Sequence, residues 1–193
     1  MKTIGIVVIY HPPIDVVDNI LSYLPNLDCL IVWNNSLHDK MIFSGIQGGS
    51  GEKIIEMGNG NNVGLGAAYN AAVNYALKHN YDYLLTMDQD SRFKGNDFQE
   101  YLSEITRLRE KTIFSPNYIM HGQELYMKQE SLIEVDTTMS SGTIYPVCIF
   151  KETGLFRDDF FIDSIDIEFS LRAKQNGSVL NYQDELFPYV PVL

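Results

Sequence analysis

The 193-residue sequence is 45% hydrophobic and 20% charged, which is typical of a globular chain with a sizeable core. Its formal net charge is −11, which argues against a nucleic-acid-binding surface. An anionic ligand would therefore have to be held by a metal, a helix N-terminus or a few placed cations. No stretch approaches a membrane span, and the isolated Cys29 and Cys148 predict neither a disulfide framework nor a zinc site, so a reducing cytoplasm is expected.

Strand and helix patterns alternate through the first half of the chain. Predicted strands cover residues 3–10, 28–33, 53–57 and 82–87, and predicted helices cover about 14–24, 64–78 and 97–111. The first helix is predicted from Ile14, Val17, Leu21 and Leu24, which recur at helical spacing. Residues 37–52 are predicted to be a loop. The alternation predicts an α/β fold with a largely parallel sheet.

The order is less regular after residue 111. Residues 131–150 have a strand-like composition that is interrupted by Ser140-Ser141-Gly142. Residues 164–176 predict a helix with Gly177 as its C-cap. Residues 181–193 look strand-like again, and no repeat, low-complexity tract or linker divides the chain.

The predicted strands of the first half all end in polar or glycine-rich residues. Parallel pairing would bring these ends to one rim of the sheet, where ligands of α/β proteins bind. The ends are Tyr10-His11, Asn34-Asn35-Ser36, residues 58–62 and Asp88-Gln89-Asp90.

The pair of aspartates after the fourth strand can be explained in two ways. Asp88 and Asp90 flank Gln89, so their side chains point the same way along an extended chain. Two close carboxylates repel each other unless a cation lies between them, and Mg²⁺ and Mn²⁺ prefer such oxygen ligands, with phosphate oxygens filling the remaining positions. The alternative is a simple turn cap, because Asp is common at strand ends.

A glycine-rich segment, Asn62 to Asn70, leads into the second helix. Its small residues permit close backbone approach, and the helix N-terminus can face an anion. It is not a Rossmann fingerprint, because Tyr69 occupies the third glycine position and the segment follows the third strand. The alternative is a tight turn with close helix packing.

Three acidic residues, Asp163, Asp166 and Glu168, lie at the start of the last predicted helix. Capping of the helix accounts for one of them. A carboxylate held at a helix start beside a pocket could also act as a general base. Elsewhere, His11 is the only histidine at the predicted rim, and Trp33 is interpreted as closing the core.

Taken in order, these stretches resemble the family 2 inverting glycosyltransferases of the GT-A fold, and among them they look most like bacterial rhamnosyltransferases that use dTDP-rhamnose. The resemblance rests on residues 62–70, the MDQDS sequence at 87–91, residues 140–142 and residues 156–177. It implies one GT-A domain over 1–193, a Rossmann-like α/β/α sandwich with a mainly parallel sheet. The nucleotide-binding part would cover about 1–111 and the acceptor part about 112–193.

The resemblance also implies roles for individual residues. Asp166 would be the catalytic base, Tyr10 would pack on the nucleotide base, and Mg²⁺ or Mn²⁺ would be held by Asp88 and Asp90. Of these two carboxylates, Asp90 would be the direct metal ligand and Asp88 would lie nearer the ribose or sugar. Further nucleotide-sugar contacts would come from Asn34, Asn35, Asn62, Gly64, Gly66 and Asn70, and contacts to the sugar or acceptor from Ser141, Gly142 and Asp163.

The implied activity is transfer of a sugar from a dTDP- or UDP-linked donor to a saccharide or lipid-linked saccharide in bacterial surface polysaccharide synthesis. The implied location is the cytoplasm or the inner face of the membrane, with at most peripheral membrane association and no nucleic-acid partner.

The sequence departs from the family pattern at several positions. Trp33 stands where the family commonly has an Asp that pairs with the pyrimidine, and Ile165 stands where a Glu often precedes the base. No His follows His121, although relatives often supply a late His to the metal, so a C-terminally shortened chain is expected.

Two rival functions stay open: a non-catalytic nucleotide-sugar-binding relative, and an aspartyl-phosphate phosphatase with Asp88 as the nucleophile. The phosphatase motif, however, normally lies on the first strand.

Overall fold

The computed structural model describes residues 1–36, 51–107, 110–117, 119–120, 123–124, 133–183 and 188–190. The helices are α1 (Val16–Leu21), α2 (Gly64–Lys78), α3 (Asp97–Ile105), α4 (Phe150–Thr153) and α5 (Ile165–Gln175). The strands are β1 (Thr3–Ile9), β2 (Cys29–Asn34), β3 (Ile54–Met57), β4 (Tyr83–Asp88), β5 (Arg92–Phe93), β6 (Thr112–Pro116), β7 (Ile119–Met120), β8 (Gln123–Glu124), β9 (Ile133–Glu134), β10 (Ile144–Pro146), β11 (Val179–Gln183) and β12 (Pro188–Val190).

The main sheet has eight strands in the order β3-β2-β1-β4-β10-β6-β11-β9. β1 is buried along its whole length and pairs in parallel with β2 and β4, while β2 pairs in parallel with β3. A run of β-branched and aliphatic residues suits such a strand, because helices cover both faces of a parallel sheet. The carboxyl ends of these four strands therefore meet at one edge, as the sequence predicts.

The sheet is mixed, although most of its pairings are parallel. β10 lies antiparallel between β4 and β6, and β9 is antiparallel to β11. Strands from before and after residue 111 thus form one continuous sheet. A smaller sheet joins β5, β12, β7 and β8.

Helices cover both faces of the main sheet, which confirms the α/β/α sandwich. On one face the small side chains of α2, Ala68, Ala72 and Ala76, are fully buried and let the helix approach the sheet. On the other face Ile20 of α1 and Tyr101 of α3 are buried in a second apolar cluster.

The predicted first helix is wrong in length and in its apolar face. α1 has six residues and begins at Val16, after a turn in which the Val16 N–H bonds to the Pro13 carbonyl oxygen. Because the helix starts late, Val16 and Ile20 are its buried apolar residues, whereas Ile14 is fully exposed.

Several other predictions concern element boundaries. α2 has the predicted bounds, and α5 ends at Gln175 with Asn176 as its C-cap. Gly177, the predicted C-cap, is the next residue, and its positive φ of 82° lets the chain turn away from the helix. α3 ends at Ile105, earlier than predicted. Over its described part, 133–150, the predicted strand-like region contains β9 and β10 before the chain turns into helix. Residues 37–50 of the predicted loop lie outside the described residues.

Cys29 and Cys148 are both free thiols. Within the described ranges, no helix combines the length and the apolar character that crossing a bilayer requires.

Candidate active site

A cleft of about 610 Å³ lies at the carboxyl ends of β1, β2 and β4. Strand ends form one side of the cleft, and the loop before α2 and the start of α5 form the other. The lining includes the predicted site residues Tyr10, Asn35, Asn62, Gly64, Asp88, Asp90, Asp163 and Asp166. Asn34, Gly66, Asn70, Ser141 and Gly142 are not part of the lining.

Asp88 is the first residue and Asp90 the third residue of the tight turn that ends β4. The Ser91 N–H closes this turn on the Asp88 carbonyl oxygen at 3.2 Å. Burial, with the charges of Asp90 and Asp166 adding to it, raises the pKa of Asp88 to about 7. Burial also raises the pKa of Asp90, and the carboxylate of Asp15 adds to the effect. Among the described residues that line the cleft, four are aspartates and none is Lys or Arg, so the cleft concentrates acidic groups.

This charge fits a divalent cation. A small hard cation favours carboxylate oxygens and would offset the cost of burying these charges, together with the smaller repulsion from neighbouring carboxylates, which raise both pKa values. Among the described residues, no three His, Cys, Asp or Glu side chains come together as a metal site. Asp88 and Asp90 could thus supply part of a coordination shell, with water or ligand oxygens completing it, as Mg²⁺ commonly requires.

The acidic residues of α5 have separate surroundings. The Asp166 carboxylate lies in the cleft, where Oδ2 accepts a 3.0 Å hydrogen bond from the Ser140 N–H and Oδ1 accepts one of 2.9 Å from the Ile167 N–H. Glu168 instead binds Arg172 through two bonds of 2.7 and 2.8 Å. Asp163 lines the cleft but is exposed. Of the three, Asp166 combines access to the cleft with a fixed orientation.

The loop that carries Ser140 is held against β4. The Gly142 N–H donates to the Thr86 carbonyl oxygen at 2.7 Å, and the Thr86 hydroxyl donates to the Ser140 carbonyl oxygen. The Ser141 hydroxyl accepts from the Asp88 N–H at 3.1 Å and donates to Ser91 at 2.8 Å. Ser141 and Gly142 therefore fix the strand end that bears Asp88, and Ser140 connects the same loop to Asp166.

The glycine-rich segment forms one wall of the cleft by packing on residues 158–161. Gly64 has a positive φ of 81°, and a Cβ there would lie 2.5 Å from the Phe161 carbonyl oxygen. A Cβ on Gly66 would lie 2.7 Å from Cα of Asp158. Asn62 Oδ1 accepts a 3.1 Å hydrogen bond from the Gly64 N–H. These contacts match the close-packing alternative, while a role in holding an anion stays a prediction.

Asn70 lies behind this wall and has a structural partner. Its side chain donates to the Phe156 carbonyl oxygen and accepts from the Phe156 N–H, both at 2.9 Å. The side-chain amide thereby joins α2 to the segment before α5.

The residues after β1 and β2 divide between exposed and buried positions. The Tyr10 side chain is 47% exposed at the cleft, in edge contact with His11 at 4.4 Å.

Asn35 is buried, and its Oδ1 accepts hydrogen bonds from Trp33 Nε1 at 2.9 Å and from the Val63 N–H at 3.3 Å. Asn34 Oδ1 accepts from the Ser36 N–H at 2.8 Å, within its own turn. Trp33 also packs against the core, in agreement with its interpretation.

Non-glycine residues with left-handed backbones surround the cleft. Phe161 and Ser164 both have φ of 62°, and His11 has φ of 45°. Such conformations are strained for residues with a Cβ and persist where surrounding contacts enforce them, often at functional sites.

The sequence reasoning missed the residues that orient the site. Ser140 acts through its backbone N–H, which no side-chain pattern marks. The sequence analysis assigns no role to Gln89, although its position between two predicted metal ligands indicates that it lies at the cleft. Phe161 and Ile162 line the cleft and are exposed, which adds an apolar rim to it.

Comparisons with known proteins identify the family of the chain. The sequence model of Glycosyl transferase family 2 matches residues 14–161, a range that contains both Asp88 and Asp90 and ends before Asp166. The dTDP-rhamnosyl transferase RfbF of Shigella flexneri is 25% identical over 199 residues, an alignment that covers 92% of this chain and 64% of that protein.

The fold resembles solved structures at low sequence identity. S. aureus TarS 1-349 in complex with UDP-GlcNAc has a TM-score of 0.73 at 15% identity, with coverage of 100% of this chain and 60% of that one. GalNAc-T7 with UDP, GalNAc and Mn²⁺ has a TM-score of 0.72 at 12% identity, with coverage of 98% and 44%. The chain belongs to glycosyl transferase family 2 and has the GT-A fold.

Proposed function

We propose that this chain is an inverting glycosyltransferase that moves a sugar from a nucleoside diphosphate to a saccharide acceptor. The observation that carries the proposal is that an oriented carboxylate, Asp166, shares one cleft with the strand-end pair Asp88 and Asp90. Family membership supports sugar transfer in general. In this arrangement one carboxylate, Asp166, would serve proton transfer, and the two beside it would bind a cation.

On the donor side, the exposed ring of Tyr10 would pack on the nucleotide base, and the diphosphate would lie over Asp88 and Asp90. A bound Mg²⁺ or Mn²⁺ would offset the negative charge that grows on the departing diphosphate. Asp90 would be the direct ligand and Asp88 would lie nearer the ribose or sugar. GalNAc-T7, which has a similar fold, was solved with UDP and Mn²⁺, and this supports a divalent cation beside the diphosphate by analogy of fold.

On the acceptor side, Asp166 would take the proton from the attacking hydroxyl. The hydroxyl oxygen then forms a bond to the anomeric carbon while the bond from that carbon to the diphosphate oxygen breaks, which inverts the configuration. The hydrogen bonds from the Ser140 and Ile167 N–H groups hold the Asp166 carboxylate in one orientation at the cleft, so the base would be oriented before substrate binds. Asp163, exposed at the same edge, would contact the sugar or acceptor.

Rhamnose from dTDP-rhamnose is the donor that we favour. The support is the similarity to a protein named as a dTDP-rhamnosyl transferase, at 25% identity. The acceptor would be a saccharide or lipid-linked saccharide of a bacterial surface polysaccharide. The reaction would take place in the cytoplasm or at the inner face of the membrane, which agrees with two free thiols.

A donor-turnover assay tests the proposal. The chain, with Mn²⁺, is incubated with dTDP-rhamnose or UDP-GlcNAc, and release of the nucleoside diphosphate is measured with and without saccharide acceptors. Acceptor-dependent release, faster with dTDP-rhamnose, supports it. Tight donor binding without any turnover would favour the non-catalytic alternative, whose support is Trp33 at the position where the family commonly has a base-pairing Asp. A covalent phosphate on Asp88 would instead favour the phosphatase alternative.

A further inference from the structure

Gln89 lies between the two acidic residues of the cleft, yet its side chain points to a different strand end. Gln89 Oε1 accepts a 2.9 Å hydrogen bond from the Tyr10 N–H, and Gln89 Nε2 donates one of 2.9 Å to the Tyr10 carbonyl oxygen. The two bonds fix which side-chain atom is oxygen and which is nitrogen, since one partner is a donor and the other an acceptor.

These bonds continue the pairing of β1 and β4 beyond the end of the sheet. The last backbone pair in the register is Val8 with Asp88, and β1 ends at Ile9. Tyr10 therefore lies outside the strand ladder. The Gln89 side chain takes the place of the next segment of strand and pairs both polar groups of the Tyr10 backbone.

We propose that Gln89 is a positioning residue that sets the distance and angle between the base-contacting ring of Tyr10 and the carboxylates Asp88 and Asp90. The inference rests on the proposed function, because it assumes that a nucleoside diphosphate spans from Tyr10 to these carboxylates. Gln89 would thereby couple recognition of the base to recognition of the diphosphate, without contacting the reacting atoms.

The neighbouring residues are fixed independently of Gln89. The Ile9 carbonyl oxygen accepts from the Asn35 N–H at 2.8 Å, and the His11 N–H donates to the Ser36 hydroxyl at 2.8 Å. The Gln89 carbonyl oxygen accepts from Asn19 Nδ2 at 3.2 Å, which holds the Gln89 backbone from below. Loss of the Gln89 side-chain amide would therefore release Tyr10 locally and leave the acidic turn in place.

Gln89→Met tests the inference, because Met has a similar length and no amide. Calorimetry would measure the Kd of two ligands in the presence of Mn²⁺: thymidine diphosphate, which reaches both ends of the cleft, and inorganic pyrophosphate, which reaches only the carboxylates. We expect thymidine diphosphate to bind about tenfold more weakly, as loss of two exposed hydrogen bonds allows, and pyrophosphate to change by less than about twofold. The matched control Gln99→Met, on the exposed face of α3, should change neither Kd.

A double-mutant cycle completes the test. In a Tyr10→Ala background, Gln89→Met should change the thymidine diphosphate Kd by less than about twofold, since the residue that Gln89 positions is gone. Gln89→Leu provides a second apolar replacement if the Met variant does not fold. Equal weakening of both ligands, no weakening of either, or a full effect that persists without the Tyr10 ring would each overturn the inference. A wild-type chain that binds neither ligand would instead contradict the proposed function.

Discussion

The Ser140 N–H donates a 3.0 Å hydrogen bond to Oδ2 of Asp166, joining two residues that are 26 positions apart in the sequence. The bond links the loop on β4 to the first turn of α5. It gives Asp166 a fixed orientation at the edge of the cleft, while the nearby Asp163 is exposed. The structure thus favours Asp166 as the base on physical grounds that family resemblance did not supply.

Asp166→Asn should abolish most turnover and preserve donor binding. The Asn carbonyl oxygen can still accept from Ser140, so the side chain keeps its place but loses the ability to take a proton. We expect donor turnover to fall by about 10²–10⁴-fold, the usual range for a lost general base, and the thymidine diphosphate Kd to stay within about twofold.

Asp163→Asn is the matched control for this substitution, and its effect on turnover should be much smaller. Full turnover by Asp166→Asn with an intact fold would transfer the base assignment to Asp163. Loss of Mn²⁺ binding in Asp166→Asn would make Asp166 a ligand instead.

Much of the fold could be predicted because its signals are local. The alanines of α2 repeat at helical spacing, and the aliphatic run of β4 leads directly to Asp88. Because parallel strands end at one rim of a sheet, the sequence also predicts that Tyr10 and Asp88 lie close together, and both line the cleft. The insertion of β10 between β4 and β6 had no such signal, since it depends on pairing between segments that are distant in sequence.

The site was predicted less completely, for the same reason. Asn70 bonds to Phe156 across 86 residues, and Gln89 bonds to Tyr10 across 79. Sequence spacing cannot reveal such partners. The exposure of Ile14 was missed because helical spacing identifies an apolar stripe only when the helix begins where it is expected to.

The elevated pKa of Asp88 predicts how stability depends on pH. The pKa is about 7 in the folded protein, raised by burial and by Asp90 and Asp166, against about 3.9 in an unfolded chain. Between these values the folded state holds a proton that the unfolded state has released, so the free energy of unfolding should fall as pH rises from about 4 to about 7 and change little above that. We expect a loss on the order of 2 kcal/mol for the metal-free protein, after allowing for solvent screening.

Urea denaturation in EDTA at several pH values measures this dependence. Asp88→Asn should flatten the profile and be more stable than the wild type at pH 8, and Mn²⁺ at pH 8 should restore stability to the wild type. Superimposable profiles for wild type and Asp88→Asn would show that Asp88 does not hold the excess proton.

Asn70→Leu should destabilise the protein and leave the nucleotide site nearly unchanged. Leu has a similar size but cannot form the two hydrogen bonds that Asn70 makes to the backbone N–H and carbonyl oxygen of Phe156. Phe156 is buried, so water cannot easily replace these bonds. We expect a loss of about 2–3 kcal/mol in the free energy of unfolding, because two backbone groups lose their partner. The thymidine diphosphate Kd should stay within about twofold. If Asn70→Leu binds thymidine diphosphate much more weakly while its free energy of unfolding is unchanged, Asn70 contacts the nucleotide instead.

Base recognition should depend on the ring of Tyr10. Tyr10→Phe keeps an aromatic face and should bind thymidine diphosphate within about twofold of wild type, whereas Tyr10→Ala should bind about ten- to a hundredfold more weakly, as loss of base stacking predicts. Competition calorimetry should also rank thymidine and uridine diphosphate above adenosine and guanosine diphosphate. A preference for a purine nucleotide would contradict both the base assignment and the rhamnosyl donor.

The central claim is that Asp88 and Asp90 hold a divalent cation that binds the donor diphosphate. Without a cation, the carboxylates and the diphosphate would repel each other. The most direct test is calorimetry of thymidine diphosphate binding in Mn²⁺ and in EDTA, for the wild type and for Asp90→Asn. We expect tight binding by the wild type in Mn²⁺, at least about tenfold weaker binding in EDTA, and weak binding by Asp90→Asn in both. Equal affinity in Mn²⁺ and EDTA would contradict it.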